Sequence, residues 1–561
     1  MAPFWLKLSK KMKNKILLVL IILIGIIFRF YKLGSIPNAY SPDELAQGYT
    51  AYSILQTGKD EWGSASIFNL RSFGDYKPPI QTLLMIPSIK LFGLNTFAVR
   101  FPNALFSVFT ILLTFLMADI LLKNKKISLL SALFVSISPW LLPMSRLALE
   151  ANLVIFIVSL GFYLFLLASQ TKKTICYLFS ILFFGISLFT YHSAKIFTPI
   201  LLLILILSQK TYKQSKKFIL VSFLFSIFFI SNYFINNQIK SSRTGDIAIF
   251  NPTDKWTYVS NSQFEITKNG LPYSFTKIFY NKITYLYEAF IQSYFSYFSP
   301  QFLLTQGAGE TTYGMIPGYG VLGLIPFIGF ILSLFFIIKN GFKKEGLNIG
   351  WLFLIVLIPP LIAAIAKGQY SANRVSLMSP FIQIISATGL ILFLESLPKK
   401  VQNISLIFSI VLFFGFNSIF LVRYFFQGNQ ILAEGMLYGH QQANEYIQSH
   451  PSSQVIYSRK LSEPQAYVSF FQQIDPKITQ ANSTNWLEYE SKNLLFLDQL
   501  GEYSLDKFIF REINIPSDML LPDTLIVGRP EEFRDVKPDH IIYYPEFSKQ
   551  EAAIYLYQTK L

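Results

Sequence analysis

Apolar residues along this chain fall into long unbroken runs rather than the one-faced or alternating patterns of a soluble core. The first, ILLVLIILIGIIF, begins at residue 16, and others recur to about residue 423. Most approach the roughly 20 residues that a helix needs to cross a bilayer. The pattern predicts eleven helices, near 15–31, 98–122, 127–143, 149–169, 174–190, 193–208, 217–236, 317–338, 349–366, 376–396 and 402–423. Past 424 the pattern changes. Short apolar runs such as QVIYS, NLLFLD, TLIVG and HIIYYPEF alternate with polar turns, which predicts a small α/β domain. The expected fold class is a polytopic α-helical membrane protein of about eleven transmembrane helices. Its expected parts are a transmembrane domain over 1–423 and a C-terminal domain over 424–561.

Composition agrees with this picture. The 561 residues are 52% hydrophobic and 17% aromatic, with a positive mean hydropathy of +0.42, too apolar for an ordinary soluble chain. The formal charge of +16 would suit nucleic acid, but its placement argues against that partner. Lysines crowd the turns on one side, around 7–15, 123–126, 172–173, 210–217, 339–344 and 399–400. The short turns on the other side hold only Arg146, Lys195, Lys367 and Arg374. By the positive-inside rule the N-terminus is cytoplasmic and the C-terminal domain extracytoplasmic; the first apolar run reads as a retained anchor, with a signal peptide as the alternative. The protein is then expected in the plasma membrane, with long outer loops at 32–97 and 237–316. One cysteine, Cys176, excludes an internal disulfide, and with four histidines makes a structural zinc site improbable.

Candidate chemistry begins at SPDELAQGY, residues 41–49. Ser41 suits an N-cap, Pro42 the first helical position, and Glu44 can complete a capping box, with Asp43 in the first turn where the helix dipole favours an anion. Ala46, Tyr49, Tyr52 and Leu55 then make an amphipathic helix at the membrane interface. With Glu44 turned back as a cap, Asp43 is left to face a cavity as a general base. In FGDYKPPIQTLL, Lys77 precedes two prolines and is held extended, either to snorkel to headgroups or to bind a phosphate. Arg146 can pair with Glu150 four residues on. His192 and Lys195 share a helix face, and Arg374 starts a helix on the outer side. Gly58-Lys59-Asp60 reads as a turn, and the aromatic stretch near 280–298 as an interfacial helix.

SPDELAQGYTAYSILQTGKDEWG and DYKPPIQTLLMIPSIKLFGLNTFAVRFPNAL resemble the first outer loop of the GT-C superfamily, the polyprenyl-phosphate-sugar-dependent glycosyltransferases. The group includes protein O-mannosyltransferases and the bacterial lipid A aminoarabinose transferase. ISPWLLPMSRLALEANL, YHSAKIFTP, SYFSPQFLLTQGAGE, ANRVSLMSP and VRYFFQGNQILAEGMLYGHQQANEYI are similar to bacterial members, in order and spacing. The resemblance implies that Asp43 is the catalytic base, with Glu44 beside it as a structural or acceptor-binding acid. It implies donor-phosphate contacts from Lys77, Arg146, His192, Lys195 and Arg374, and substrate contacts from Tyr76 and from Arg243 in KSSRTGDIAIFN. The implied reaction moves a sugar from a polyprenyl-phosphate donor to a protein, glycolipid or glycan hydroxyl, with inversion. No cofactor or metal is expected. A polymerase, ligase or transporter of the cell envelope is the competing reading. Against a transporter, ionisable residues inside the predicted spans are few, Asp119 being the evident acid.

Overall fold

The computed structural model describes residues 9–68, 70–73, 76–211, 215–237, 249, 255–340, 346–366, 368, 370–534, 536–545 and 551–559. Every predicted apolar segment is helical. In chain order the helices that matter here are α1 (Lys10–Phe30), α2 (Pro42–Thr57), α3 (Pro79–Phe92), α4 (Thr96–Leu122), α5 (Lys125–Ser136), α6 (Glu150–Thr171), α7 (Thr174–Leu188), α8 (Ala194–Ser208) and α9 (Ser215–Asn237). They continue with α10 (Lys255–Lys268), α11 (Tyr273–Phe279), α12 (Lys282–Ser296), α13 (Leu324–Asn340), α14 (Gly346–Ala364), α15 (Phe381–Ser396) and α16 (Lys399–Val422). Among the described residues, three helices are long and apolar enough to cross a membrane by length and composition: α4, α6, and α16 extended to Ile431. Several predicted spans are shorter than expected because local breakers cut them. The helix expected to 143 ends at Ser136; Ser138 Oγ then accepts from the amides of Trp140 and Leu141 and opens a separate short turn, Leu141–Ser145.

Some helices meet with almost no side chain between them. On α13 and α15, Gly329 and Gly389 face each other: a Cβ built on either would lie 2.1 Å from a carbonyl oxygen of the other helix. Small residues of this kind let membrane helices approach closely, where van der Waals contact takes over from the hydrophobic effect.

The C-terminal part carries the expected α/β domain. After a first-loop hairpin of β1 (Leu70–Arg71) and β2 (Tyr76–Lys77), its six-stranded sheet joins β3 (Gln454–Ser458), β4 (Tyr503–Leu505), β5 (Phe508–Arg511), β6 (Thr524–Gly528), β7 (His540–Tyr543) and β8 (Ala552–Gln558) in the order β4-β5-β3-β6-β8-β7. The central strands β5, β3 and β6 run parallel, and the edges are antiparallel. QVIYS, TLIVG and HIIY are strands, as their alternation predicts. NLLFLD is not; it ends in a tight turn, Leu497–Leu500, and the Leu497 amide donates to Phe73 O in the first loop.

That bond belongs to an extensive seam between this domain and the first loop. The expectation that α2 lies at the membrane interface is overturned: residues from Glu44 to Ala51 are buried on all sides. Tyr49 Oη bonds to Ile474 O and Thr479 Oγ1, both at 2.8 Å, and Tyr467 Oη donates to Tyr40 O at 2.7 Å. Gln480 reaches Thr57 and the Asp60 carbonyl, while the rings of Trp62 and Trp486 meet edge to face at 5.4 Å. Asp60 is a turn residue, as expected, its Oδ1 accepting from the amides of Trp62 and Ser64. Its neighbour Glu61 is buried without a cation partner among the described residues, and desolvation pushes its carboxyl from 4.5 up to about 8.

Two outcomes follow from these contacts. Gly389→Val should lower the melting temperature in detergent by the equivalent of ~1–3 kcal/mol, the usual penalty of overpacking. The second concerns pH. Because the folded-state value of Glu61 is raised, the folded protein holds this proton over a window in which the unfolded chain has released it. Stability should therefore fall as pH rises from about 4.5 toward 8. Glu61→Gln should flatten that part of the melting-temperature profile.

Candidate active site

The site starts where α2 starts. Pro42 occupies the first turn of the helix and Asp43 follows it, at the positive end of the helix dipole. Opposite stands a two-residue hairpin in which Leu70 pairs Lys77 and Arg71 pairs Tyr76. Pro78 holds the extended backbone that follows, and Pro79 opens α3. These two local structures bring Lys77 Nζ to 2.9 Å from Asp43 Oδ1, with the side chains 11% and 27% exposed. The pair is thus sheltered but reachable.

Around it lies a chain of further polar groups. Gln47, one turn after Asp43 on α2, donates from Nε2 to Glu150 Oε1 at 2.9 Å, and Glu150 lies within reach of the charges of both Lys77 and Asp43. Tyr191 sits among Glu150, Tyr313, Arg374 and Glu310, and burial raises its hydroxyl. Glu310 Oε2 accepts from the Ala372 amide at 3.1 Å; burial raises its carboxyl and the charge of Arg374 opposes that shift. Next to Tyr191 in the chain, Lys195 Nζ and His192 Nδ1 are 3.3 Å apart. The structure therefore gathers Asp43, Lys77 and Arg374 around Glu150, Tyr191 and Glu310. His192 and Lys195 pair with each other beside that group.

Other expected site residues are committed elsewhere. The capping box expected of Ser41 and Glu44 does not form, since Ser41 makes no side-chain cap bond. Glu44, 1% exposed, turns inward to Arg100 instead, with Oε1 to Nε at 2.7 Å and Oε2 to Nη2 at 3.1 Å. Arg146 does not pair with Glu150. Its guanidinium is fully buried and donates to the carbonyls of Phe28, Arg29, Tyr31, Lys32 and Ile36, where the last turn of α1 leaves acceptors unsatisfied. Tyr76 Oη accepts from Arg71 Nη2 at 2.7 Å, and Arg71 in turn pairs with Glu490 in the C-terminal domain. Arg243 lies outside the described residues. Among the described residues no three His, Cys, Asp or Glu side chains gather into a metal-binding set.

Comparison with known proteins bears on this arrangement. Residues 76–234 match the family described as dolichyl-phosphate-mannose-protein mannosyltransferase. The matched stretch includes Lys77, Glu150, Tyr191, His192 and Lys195, whereas Asp43 precedes it. A curated relative from Aquifex aeolicus (strain VF5), described as an uncharacterized protein, is 26% identical over 279 residues. That match covers 48% of this chain and 54% of the relative, so the chain spans about half the length of the curated relative it matches. The crystal structure of ArnT from Cupriavidus metallidurans in the apo state superposes with a TM-score of 0.53 at 11% identity, covering 96% of this chain and 97% of ArnT. The same protein bound to undecaprenyl phosphate gives 0.52 at 10% identity with the same coverage. The fold is that of ArnT.

Within this fold the acid pair divides its labour by geometry. Asp43 faces a cation at a reachable site. Glu44 is a buried structural anion that also accepts the Ala148 amide at 3.2 Å, tying α2 to the segment leading into α6. Arg100 completes the arrangement by donating to the carbonyls of Pro37 and Ala39 at 2.8 and 3.1 Å. Removing one member of a buried pair strands the other charge. Glu44→Gln should therefore lower stability by ~3–5 kcal/mol, while Asp43→Asn should leave the melting temperature near that of the wild type. Thermal unfolding of the two purified variants in one detergent checks the contrast.

Proposed function

We propose that this protein moves a glycosyl group from a polyprenyl-phosphate donor to an acceptor hydroxyl at the outer face of the membrane. The observation that carries the reading is the sheltered Asp43–Lys77 pair at the mouth of α2. The GT-C fold, and the ArnT structure bound to undecaprenyl phosphate, support the donor class. The lysine distribution supports a cytoplasmic N-terminus and an extracytoplasmic C-terminal domain.

A lipid-phosphate sugar carries its own leaving group. The acceptor oxygen attacks the anomeric carbon, its proton passes to Asp43, and the bond from that carbon to the phosphate oxygen breaks. One displacement inverts the anomeric centre. The departing polyprenyl phosphate gains negative charge, which Lys77 and the nearby Arg374 stabilise where it develops. Lys195, paired with the His192 ring, adds positive charge to the phosphate side. Donor phosphate and Asp43 compete for one ammonium, so donor binding and release of the carboxylate toward the acceptor are a single event. Glu44 and Arg146 act indirectly, by holding the segments that present Asp43. The reading assigns no step to a metal.

Membranes supplied with a panel of radiolabelled polyprenyl-phosphate sugars test it. Wild type should release free polyprenyl phosphate from at least one donor. Asp43→Asn should lose ~10²–10⁴-fold in turnover, the usual contribution of a positioned base, with expression intact. Lys77→Met should weaken donor use as well. Equal release by wild type and Asp43→Asn would refute the assignment of the base, and no release from any donor would favour a transporter.

A further inference from the structure

The first loop ends in an apolar tip that the C-terminal domain does not bury. After Trp62 the chain becomes small and polar, Gly63-Ser64-Ala65-Ser66, and then presents Ile67 and Phe68. These two are 45% and 50% exposed, although Leu70 on the adjoining strand is buried. The Phe68 ring meets Phe189, with centroids 6.1 Å apart. Phe189 directly follows α7 and packs against the largest apolar cluster of the helix bundle. The tip therefore rests on the end of the bundle that the lysine distribution places outside.

Cations stand on both sides of that contact. Phe68 is two residues before Leu70, which pairs Lys77 across the hairpin, so at most ~7 Å of chain separates it from that rung. On the other side, Phe189 is three residues before His192 and six before Lys195, whose side chains meet. Just past Lys195, the side chains of Ile196, Ile200, Leu203 and Leu207 are exposed along α8. Steps of four, three and four residues put them on one helix face. Positive charge and an apolar strip thus adjoin, from the loop tip down α8.

An amphiphile satisfies both parts. A bare anion drawn to Lys77 and Lys195 would leave Ile67 and Phe68 facing water, which is unfavourable for apolar surface. A phosphate esterified to an apolar chain brings that chain beside the cations by covalent necessity. Single exposed apolar residues need no explanation, but an adjacent pair seated on the bundle beside two cations marks a contact surface. We propose that Ile67, Phe68 and Phe189 form a rest for the isoprene units beyond the first in the donor's tail, so that the first loop selects long polyprenyl chains. The strip on α8 continues this rest into the bilayer. The proposal depends on the polyprenyl-phosphate reading for the identity of the tail, and adds to it the residues that sense its length.

The test uses the full-length protein in phosphatidylcholine nanodiscs without acceptor. Equilibrium binding of undecaprenyl phosphate and of five-carbon prenyl phosphate is measured for wild type, Phe68→Ser and Ile67→Ser. The ratio of variant to wild type at each chain length cancels partition into the nanodisc. Each variant should bind undecaprenyl phosphate about tenfold more weakly, the loss expected from uncovering part of a large apolar side chain, and prenyl phosphate as wild type does. Lys77→Met should weaken both. Both tip positions are exposed, so melting temperatures should match wild type, and a variant that melts early is set aside for the other. Equal loss at both lengths, no loss at either, or failure of wild type to bind the long chain would overturn the proposal. So would displacement of undecaprenyl phosphate by phosphatidylglycerol added to the nanodisc, which would make an ordinary phospholipid the occupant. Length-dependent binding without sugar transfer from any donor would strike the glycosyl-transfer reading and spare the tail rest.

Discussion

A guanidinium sealed from water holds this site together. Arg100 binds Glu44 through two nitrogens and spends its remaining donors on backbone carbonyls between Leu33 and Ala39. Those carbonyls belong to an irregular stretch that could not be buried without donors aimed at it. Arg146 does the same for the end of α1, and Arg29 ties α1 to the end of α5 through the carbonyls of Val135 and Ser136. Arg100 and Arg146 thus stand in for regular secondary structure between residues 31 and 41, and the start of α2 inherits its position from them. Asp43 can be reachable because its neighbour Glu44 is not.

The C-terminal domain completes the enclosure. Ala46 and Phe73 from the first loop pack in the same apolar cluster as Val455, Val468 and Leu525 of that domain. On the opposite side, Tyr49 and Leu45 share a cluster with Tyr467, Phe470 and Val99 of α4. α2 is therefore gripped between membrane helices and sheet domain, and Asp43 and Ala46 lie along one face of that gripped helix.

Much of this was legible from sequence where the signal is local. A bilayer-length apolar run is visible within its own 20 residues, and all eleven such runs are helices, their ends shifted where Pro139 and Pro380 interrupt them. Asp43 and Lys77 were legible because each sits beside its own proline punctuation. Glu44 was misread because its partner is 56 residues away, so the nearer capping box looked sufficient. Arg146 was misread for the same reason: Glu150 is four residues on, while the carbonyls it binds are more than 100 residues back. Glu150, Tyr191 and Glu310 lay inside stretches whose resemblance was noted, yet no spacing or composition distinguished them from ordinary helix-end and loop residues.

The seam also has a consequence in time. Tyr49 and Gln480 find partners more than 420 residues away along the chain. A ribosome adding about 5–20 residues per second needs roughly 20–90 s to cover that interval. Through that interval the first loop has left the ribosome while the surface that encloses it does not yet exist. Membrane helices can insert one after another as they emerge, but this enclosure is assembled last, when the C-terminal sheet closes over a loop made at the beginning. Nascent chains of this protein therefore leave α2 unenclosed until synthesis is nearly finished.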